Sequence, residues 1–252
     1  HLHGDHVLGL PGLVQTLDFN GREDPLAIYG PPGSKPHLRE LLSAGGYRPS
    51  FPVTVNEVRP GNVALDATAY EVRTFETDHR NVSSMGYALV EDGRRGRFDR
   101  ERAEELGVPV GPKFGQLHDG EAVELDDGTV VHPDDVVGDP RPGRRFVYTG
   151  DTRPVDATVA VAEDPDLLVH DATFDDEWAE RARRTGHATG REAAEIAARA
   201  GATRLGLVHV SSRYAGDASS IERDAASAAA DGTEVFLPDD GHTVAVPFPD
   251  EV

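Results

Sequence analysis

The chain opens on HLHGDH, which puts three imidazoles and a carboxylate (His1, His3, Asp5 and His6) within six residues. Such groups bind divalent cations, and the interruptions by Leu2, Gly4 and Asp5 set the stretch apart from a plain histidine run. Alternate residues of an extended loop share a side, so His1 and His3 can face one position. Asp5 and His6, at the turn into the helix-like VLGLPGLVQTL, can face a second, an arrangement that serves two ions. Further along, potential ligands close several apolar stretches: His79 ends FETDH, Asp151 follows VYTG, His170 and Asp171 follow DLLV, and His209 follows LGLV. Ligands gathered from strand ends are how a site is assembled at one edge of a sheet. Taken singly, such a histidine is an ordinary surface residue and an aspartate after TG an ordinary turn residue; the joint pattern carries the reading. His37, His118, His132 and His242 lie in loops without companions and are set aside. With no cysteine in the chain, any metal must be held by His, Asp and Glu, which suits zinc or manganese.

These groups need elements to position them. LAIYG (26–30) reads as a buried strand closed by a Gly-Pro-Pro turn, 67–79 and 84–92 as two further strands, and 145–151, 166–174 and 204–212 as strands with polar tips. The spacing predicts an amphipathic helix over 189–202 with Thr189 as its N-cap, and a second over 220–232 closed by Gly232. A final strand pair is expected over 234–246. Strands alternating with helices give an α/β domain with a mixed sheet. Between Gly93 and Arg145 the chain turns rich in Gly, Pro and charge, with one short helical piece, DRERAEELG; this stretch is read as an insertion.

The length of 252 residues suits one large α/β domain or two small ones. No apolar run is long enough to cross a bilayer and no stretch reads as a signal segment; with the true amino terminus expected to be absent, a lost targeting signal stays open, and the cytoplasm is the expected location. Net charge is −20, and Lys35 and Lys113 are the only lysines. Acid excess with lysine depletion is read as adaptation to high internal salt, in preference to a GC-rich genome, which favours Arg, Ala, Gly and Asp but does not require so negative a total. An acidic surface argues against nucleic-acid binding at ordinary ionic strength, but at molar salt the Debye length falls to roughly 3 Å and the objection weakens.

The order H-x-H-x-D-H, strand-end His, Asp, strand-end His resembles the metallo-β-lactamase superfamily. Within it, HGDHVLGLPGL, HDATF, GHATGREAAEIA and LVHVSSRY resemble segments of the tRNase Z family, with Asp171 where Glu is usual and Ala188 where Ser is usual. The resemblance implies an αββα sandwich and a two-metal phosphodiester hydrolase that removes the 3′ trailer of precursor tRNA. It implies that His1, His3 and His79 hold one ion, that Asp5, His6 and His209 hold the other, and that Asp151 bridges two Zn2+ (or Mn2+) ions. Asp5 would serve as base toward the attacking water, and His187, positioned by Asp171, as proton donor to the leaving oxygen. His170 is read as structural. The stretch 93–145 resembles the family's protruding tRNA-gripping arm, with Arg94, Arg95, Arg97 and Lys113 as phosphate contacts, and a homodimer is implied. The β-rich segment that precedes H-x-H-x-D-H in the superfamily is missing, so the chain is expected to lack an N-terminal segment and not to be fully stable or active alone. The competing expectations are another phosphodiesterase of this fold and an inactive fragment.

Overall fold

Short apolar stretches bounded by Gly, Pro and Asp become strands, which pleated, half-buried surfaces favour where side chains are β-branched or aromatic. β1 (Leu26–Gly30) and β2 (Val53–Glu57) pair in parallel as a small sheet. The remaining strands are β3 (Val63–Asp66), β4 (Tyr70–Glu76), β5 (Met85–Glu91), the short antiparallel pair β6 (Val123–Glu124) and β7 (Val130–Val131), then β8 (Arg145–Tyr148), β9 (Leu167–Asp171), β10 (Arg204–Val208) and β11 (Glu234–Phe236). Seven of them form one mixed sheet in the order β11-β10-β9-β8-β5-β4-β3. Its β8–β9–β10–β11 half is parallel, while β5 runs antiparallel to β8. The computed structural model describes residues 1–251. It divides into two compact units, His1–Val90 with Arg145–Val246, and Glu91–Arg144 with the segment that begins at Pro247.

In the first unit, Phe75, Ala88, Val147, Leu168, Leu205 and Leu207 of the large sheet pack against two helices, Gly190–Ala200 and Ser219–Ala226. The first helix starts as the sequence predicts. Glu192 N–H donates to Thr189 Oγ1 at 3.2 Å and Thr189 N–H donates back to Glu192 Oε2 at 2.9 Å, a reciprocal cap. Its buried face is alanine apart from Ile196 and Gly190, so the neighbouring helix approaches closely: a Cβ on Gly190 would lie 2.4 Å from the Ile221 carbonyl oxygen.

Two expected elements differ. The helix read over 220–232 ends at Ala226, and Gly232 (φ 87°) lies in a later turn. The expected closing strand pair is β11 alone. β11 borders only β10, and the stretch beyond Pro238 forms no ladder; Arg204 Nη1 instead donates to Ala245 O at 2.6 Å.

The second unit holds more structure than its Gly/Pro content suggests. Besides the expected helix, found at Arg100–Glu105 and capped by Asp99, it has a helix at Pro112–His118 and the β6–β7 pair. Ala103, Val108, Leu117, Val123, Val131 and Val136 form a separate small core with Phe98 and Phe114 against it. Antiparallel bridges Arg94–Arg141 and Phe98–Val137 close its base. The segment after Pro247 completes it: Arg94, Arg97 and Arg141 all reach Asp250, and the Arg94 guanidinium lies 3.4 Å from the centre of the Phe248 ring.

Candidate metal centre

Strand tips of the large sheet and the opening loop converge on Asp151, which follows β8. Its Oδ2 lies 3.2 Å from Nε2 of both His6 and His209, 3.7 Å from His1 Nε2 and 4.0 Å from His79 Nε2. A single buried carboxylate oxygen therefore stands between two sets of donors. On one side are His1, His3 and His79, with His79 Nε2 and His3 Nδ1 3.1 Å apart. On the other are Asp5, His6 and His209, with Asp5 Oδ2 3.5 Å from His6 Nε2 and 3.6 Å from His209 Nε2. All seven sequence-predicted ligands lie in these two groups.

The donor set fits divalent cations on several counts. His1 Nε2 is buried and has no hydrogen-bond partner, although burying an imidazole nitrogen without one costs free energy. Tetrahedral zinc with ligand bonds of about 2.0 Å spaces its donors roughly 3.3 Å apart, close to the contacts seen here. The remote nitrogens of two ligands are already engaged: His79 Nδ1 with Gly186 O and His209 Nδ1 with Thr173 Oγ1, both at 2.8 Å. Such outer contacts fix ring orientation and leave the opposite nitrogen aimed inward. Burial pulls the His79 imidazole below its usual value, which keeps it in the neutral, ligating form. Gly186 has to be glycine: its φ is 86°, and a Cβ there would lie 2.7 Å from Arg80 Cγ and 3.1 Å from His79 Nδ1. His209 has φ 62° and Arg80 φ 58°, sparsely populated backbone for non-glycine residues of the kind that collects at functional sites.

Beside the donors stands a histidine–aspartate pair. His187 Nδ1 is 2.7 Å from Asp171 Oδ2, and the His187 ring stacks on that of His209 with centroids 4.9 Å apart. Asp171 is fully buried and receives hydrogen bonds from Thr152 N–H (3.1 Å), Thr173 N–H (2.9 Å) and Thr173 Oγ1 (2.7 Å). Burial works to lower the His187 imidazole, but the carboxylates around it, Asp171 first and then Asp151 and Asp5, outweigh it and the net direction is up. His170, next to it on β9, belongs to none of the donor groups. Successive strand residues face opposite sides of a sheet, and His170 is buried on the other one, with Nδ1 2.8 Å from Asp171 O.

A cleft of about 250 Å³ opens over the centre, lined by His3, Asp5, His79, His187, His209 and also Arg80. Arg80 was not singled out from the sequence. It directly follows His79, and no carboxylate pairs with it among the described residues. Thr173 was missed too, although the HDATF segment contains it. The arm cations sit in the second unit, engaged with their own neighbours: Arg94 and Arg97 with Asp250, Arg95 with Asp119, and Lys113 Nζ with Glu124 O at 2.7 Å.

A family described as "Beta-lactamase superfamily domain" matches residues 136–210. The "Ribonuclease Z" of Natronomonas pharaonis is 66% identical over 251 residues, covering 100% of this chain and 80% of that protein. The chain belongs to the ribonuclease Z family. The ribonuclease Z of Haloferax volcanii is 64% identical, over 99% of this chain and 78% of its own, and that of Myxococcus xanthus 48%, over 99% and 80%. Among solved structures, the short form of human tRNase Z superposes with a TM-score of 0.65 at 24% identity, covering 98% of this chain and 77% of that one. The metallo-β-lactamase fold protein YhfI of Bacillus subtilis gives 0.63 at 19%, covering 96% and 73%. The fold is therefore the metallo-β-lactamase fold that the ribonuclease Z resemblance implied.

Proposed function

We propose that the protein is an endoribonuclease that cuts the 3′ trailer from precursor tRNA, leaving a tRNA 3′-OH and a trailer 5′-phosphate. One observation carries this reading: a single carboxylate oxygen, on Asp151, shared between a His1–His3–His79 set and an Asp5–His6–His209 set, beside a His187–Asp171 pair. Its membership of the ribonuclease Z family supports the choice of RNA over a small phosphodiester.

His1, His3 and His79 would hold one divalent cation, Asp5, His6 and His209 another, with Asp151 between them. Zinc is the first choice and manganese the second, given nitrogen and oxygen donors alone. When bound, the ions supply Lewis acidity, which makes water nucleophilic near neutral pH and offsets negative charge on the phosphoryl oxygens. The protein's groups do the rest. Asp5 sits at the cleft with its carboxyl held below the usual range, where the hydrogen bond from its own backbone N–H, together with His6 and His209, outweighs burial, so it is an anion able to orient the attacking water and accept its proton. Water attacks phosphorus and the ribose 3′ oxygen departs. His187 donates the proton that oxygen needs, and Asp171 fixes the ring by Nδ1 so that Nε2 is free to do so. Arg80 is placed to meet a phosphate oxygen in the cleft.

The arm and its cations Arg94, Arg95, Arg97 and Lys113 are assigned to the body of the tRNA, in a homodimer. The cytoplasm, at high salt concentration, is the matching setting for an acidic, lysine-poor chain, and no described helix is long and apolar enough to cross a membrane. The test is cleavage of a precursor tRNA carrying a 3′ trailer by the metal-loaded protein in molar KCl. A cut after the unpaired nucleotide of the acceptor stem, abolished by a chelator and restored by zinc or manganese, is expected. An uncut precursor alongside rapid hydrolysis of a small phosphodiester would reject the RNA assignment.

A further inference from the structure

The VHVSSRY segment contributes His209 to the metal centre, and its remainder has had no role so far. Arg213, four residues later, lies in a short turn, Ser212–Tyr214, with its guanidinium 4.4 Å from the centre of the Trp178 ring. Both side chains are open to solvent, and Trp178 is 39% exposed. In a chain of net charge −20, several arginines take carboxylate partners: Arg191 pairs with Asp176 and Arg204 with Glu234, each at 2.6 Å. Arg213 takes none among the described residues and stacks on the indole instead.

The stack is tied to the site from both sides. Ser211 N–H donates to Thr173 O at 3.1 Å, and Thr173 is the residue that holds His209 Nδ1. Asp175 N–H donates to the Tyr214 hydroxyl at 3.1 Å, and Trp178 N–H donates to Asp175 O at 3.1 Å. Of the acids beside it, Asp175 Oδ2 accepts from Ser220 Oγ at 2.8 Å and Asp176 pairs with Arg191, while the exposed Glu177 precedes Trp178 in the chain. Four residues of chain span at most roughly 14 Å, so Arg213 lies within one or two nucleotides of His209. A cation stacked on a half-exposed aromatic ring, with no anion of its own, suits a base on the ring and a phosphate on the guanidinium.

We infer that Trp178 and Arg213 form a stacking subsite for an unpaired nucleotide of the RNA, flanking the phosphate that is cut. The inference rests on the RNA-cleaving reading above and adds a binding site to it. Trp178 is the only tryptophan, so tryptophan emission, excited selectively over the tyrosines, reports on this site alone.

The intact protein is titrated with a short single-stranded oligoribonucleotide and, separately, with a fully paired RNA duplex. Saturable quenching by the single strand and little change with the duplex are expected. In steady-state cleavage of precursor tRNA, Trp178→Leu is expected to raise KM about five- to hundredfold, the range for loss of one stacked base, with kcat less affected. Trp178→Phe keeps a ring and should recover most of the loss. An abasic nucleotide beside the cut should weaken the wild type and leave the Leu variant little changed. Three results overturn the inference: emission that does not respond to saturating single strand, a wild-type KM in the Leu variant, or a loss confined to kcat that Phe does not rescue. The last would make the stack a brace for the loops. A wild type that quenches with single-stranded RNA yet leaves precursor tRNA uncut would count against the tRNA reading while retaining the subsite.

Discussion

His187 and Asp151 both sit in the cleft region, yet their substitution should separate cleanly. Asp151→Ala removes the oxygen that four imidazole nitrogens approach within 4.0 Å, so bound metal and activity should vanish together. His187→Ala should keep its full metal content, measured by elemental analysis, and cut precursor tRNA about 10²–10⁴-fold more slowly, the usual contribution of a general acid. Full-rate cleavage by that variant would remove His187 from its assigned role. Residue types and order made the donor set legible, because H-x-H-x-D-H and three strand-end groups leave few other uses for so many ligands. Arg80, Gly186 and Trp178 were not legible. What marks them is a left-handed backbone, a close approach to His79, or a guanidinium stacked on the ring, none of which the local sequence announces.

Among the elements, the arm differs most from what its composition suggested. Gly and Pro mark turns, and they hid a second helix and a hairpin whose few buried apolar residues, Leu117, Val123 and Val131, are spaced too irregularly to show a period. Strands ending in ligands were easier to see, since an apolar run followed by a polar tip is a local pattern. The closing strand pair was overread because a ladder needs a partner, and local sequence does not reveal that β11 is an edge. The arm's base is held by carboxylates. Arg144 lowers Glu91, and Arg94 with Arg141 lowers Asp250 against the opposing effect of burial. Depressed carboxylates contribute stability above their unfolded pKa and lose it as pH falls through the folded one. The protection of amides in 93–144, taken relative to the unfolded exchange rate at each pH, should therefore fall below the usual carboxylate range while the helix Gly190–Ala200 stays protected. Asp250→Asn should loosen the same segment at neutral pH. Deleting 94–144 should raise KM for precursor tRNA and spare hydrolysis of a small phosphodiester; equal loss on both would point to a folding role.

Over the whole molecule, charge sets the working conditions. A net −20 self-repels in dilute buffer, and salt that shortens the Debye length to roughly 3 Å at 1 M relieves it. The melting temperature should climb as KCl rises from 0.1 to 3 M, and a flat or falling profile would speak against adaptation to salt. Scanning calorimetry also addresses whether the chain is fully stable alone, since one cooperative transition with full metal content would oppose that expectation. The same salt dependence bears on RNA affinity, because phosphate contacts weaken as counterion release loses its drive. An enzyme working at molar salt gains from recognition that ions do not screen, which stacking on Trp178 would supply.

Arg94, Arg97 and Arg141 reach across the sequence to Asp250, so the arm is built from two stretches that lie far apart in the chain. Anyone grafting it onto another scaffold must transplant both pieces, and a fusion partner joined directly after Phe248 would remove Asp250, the graft's anchor.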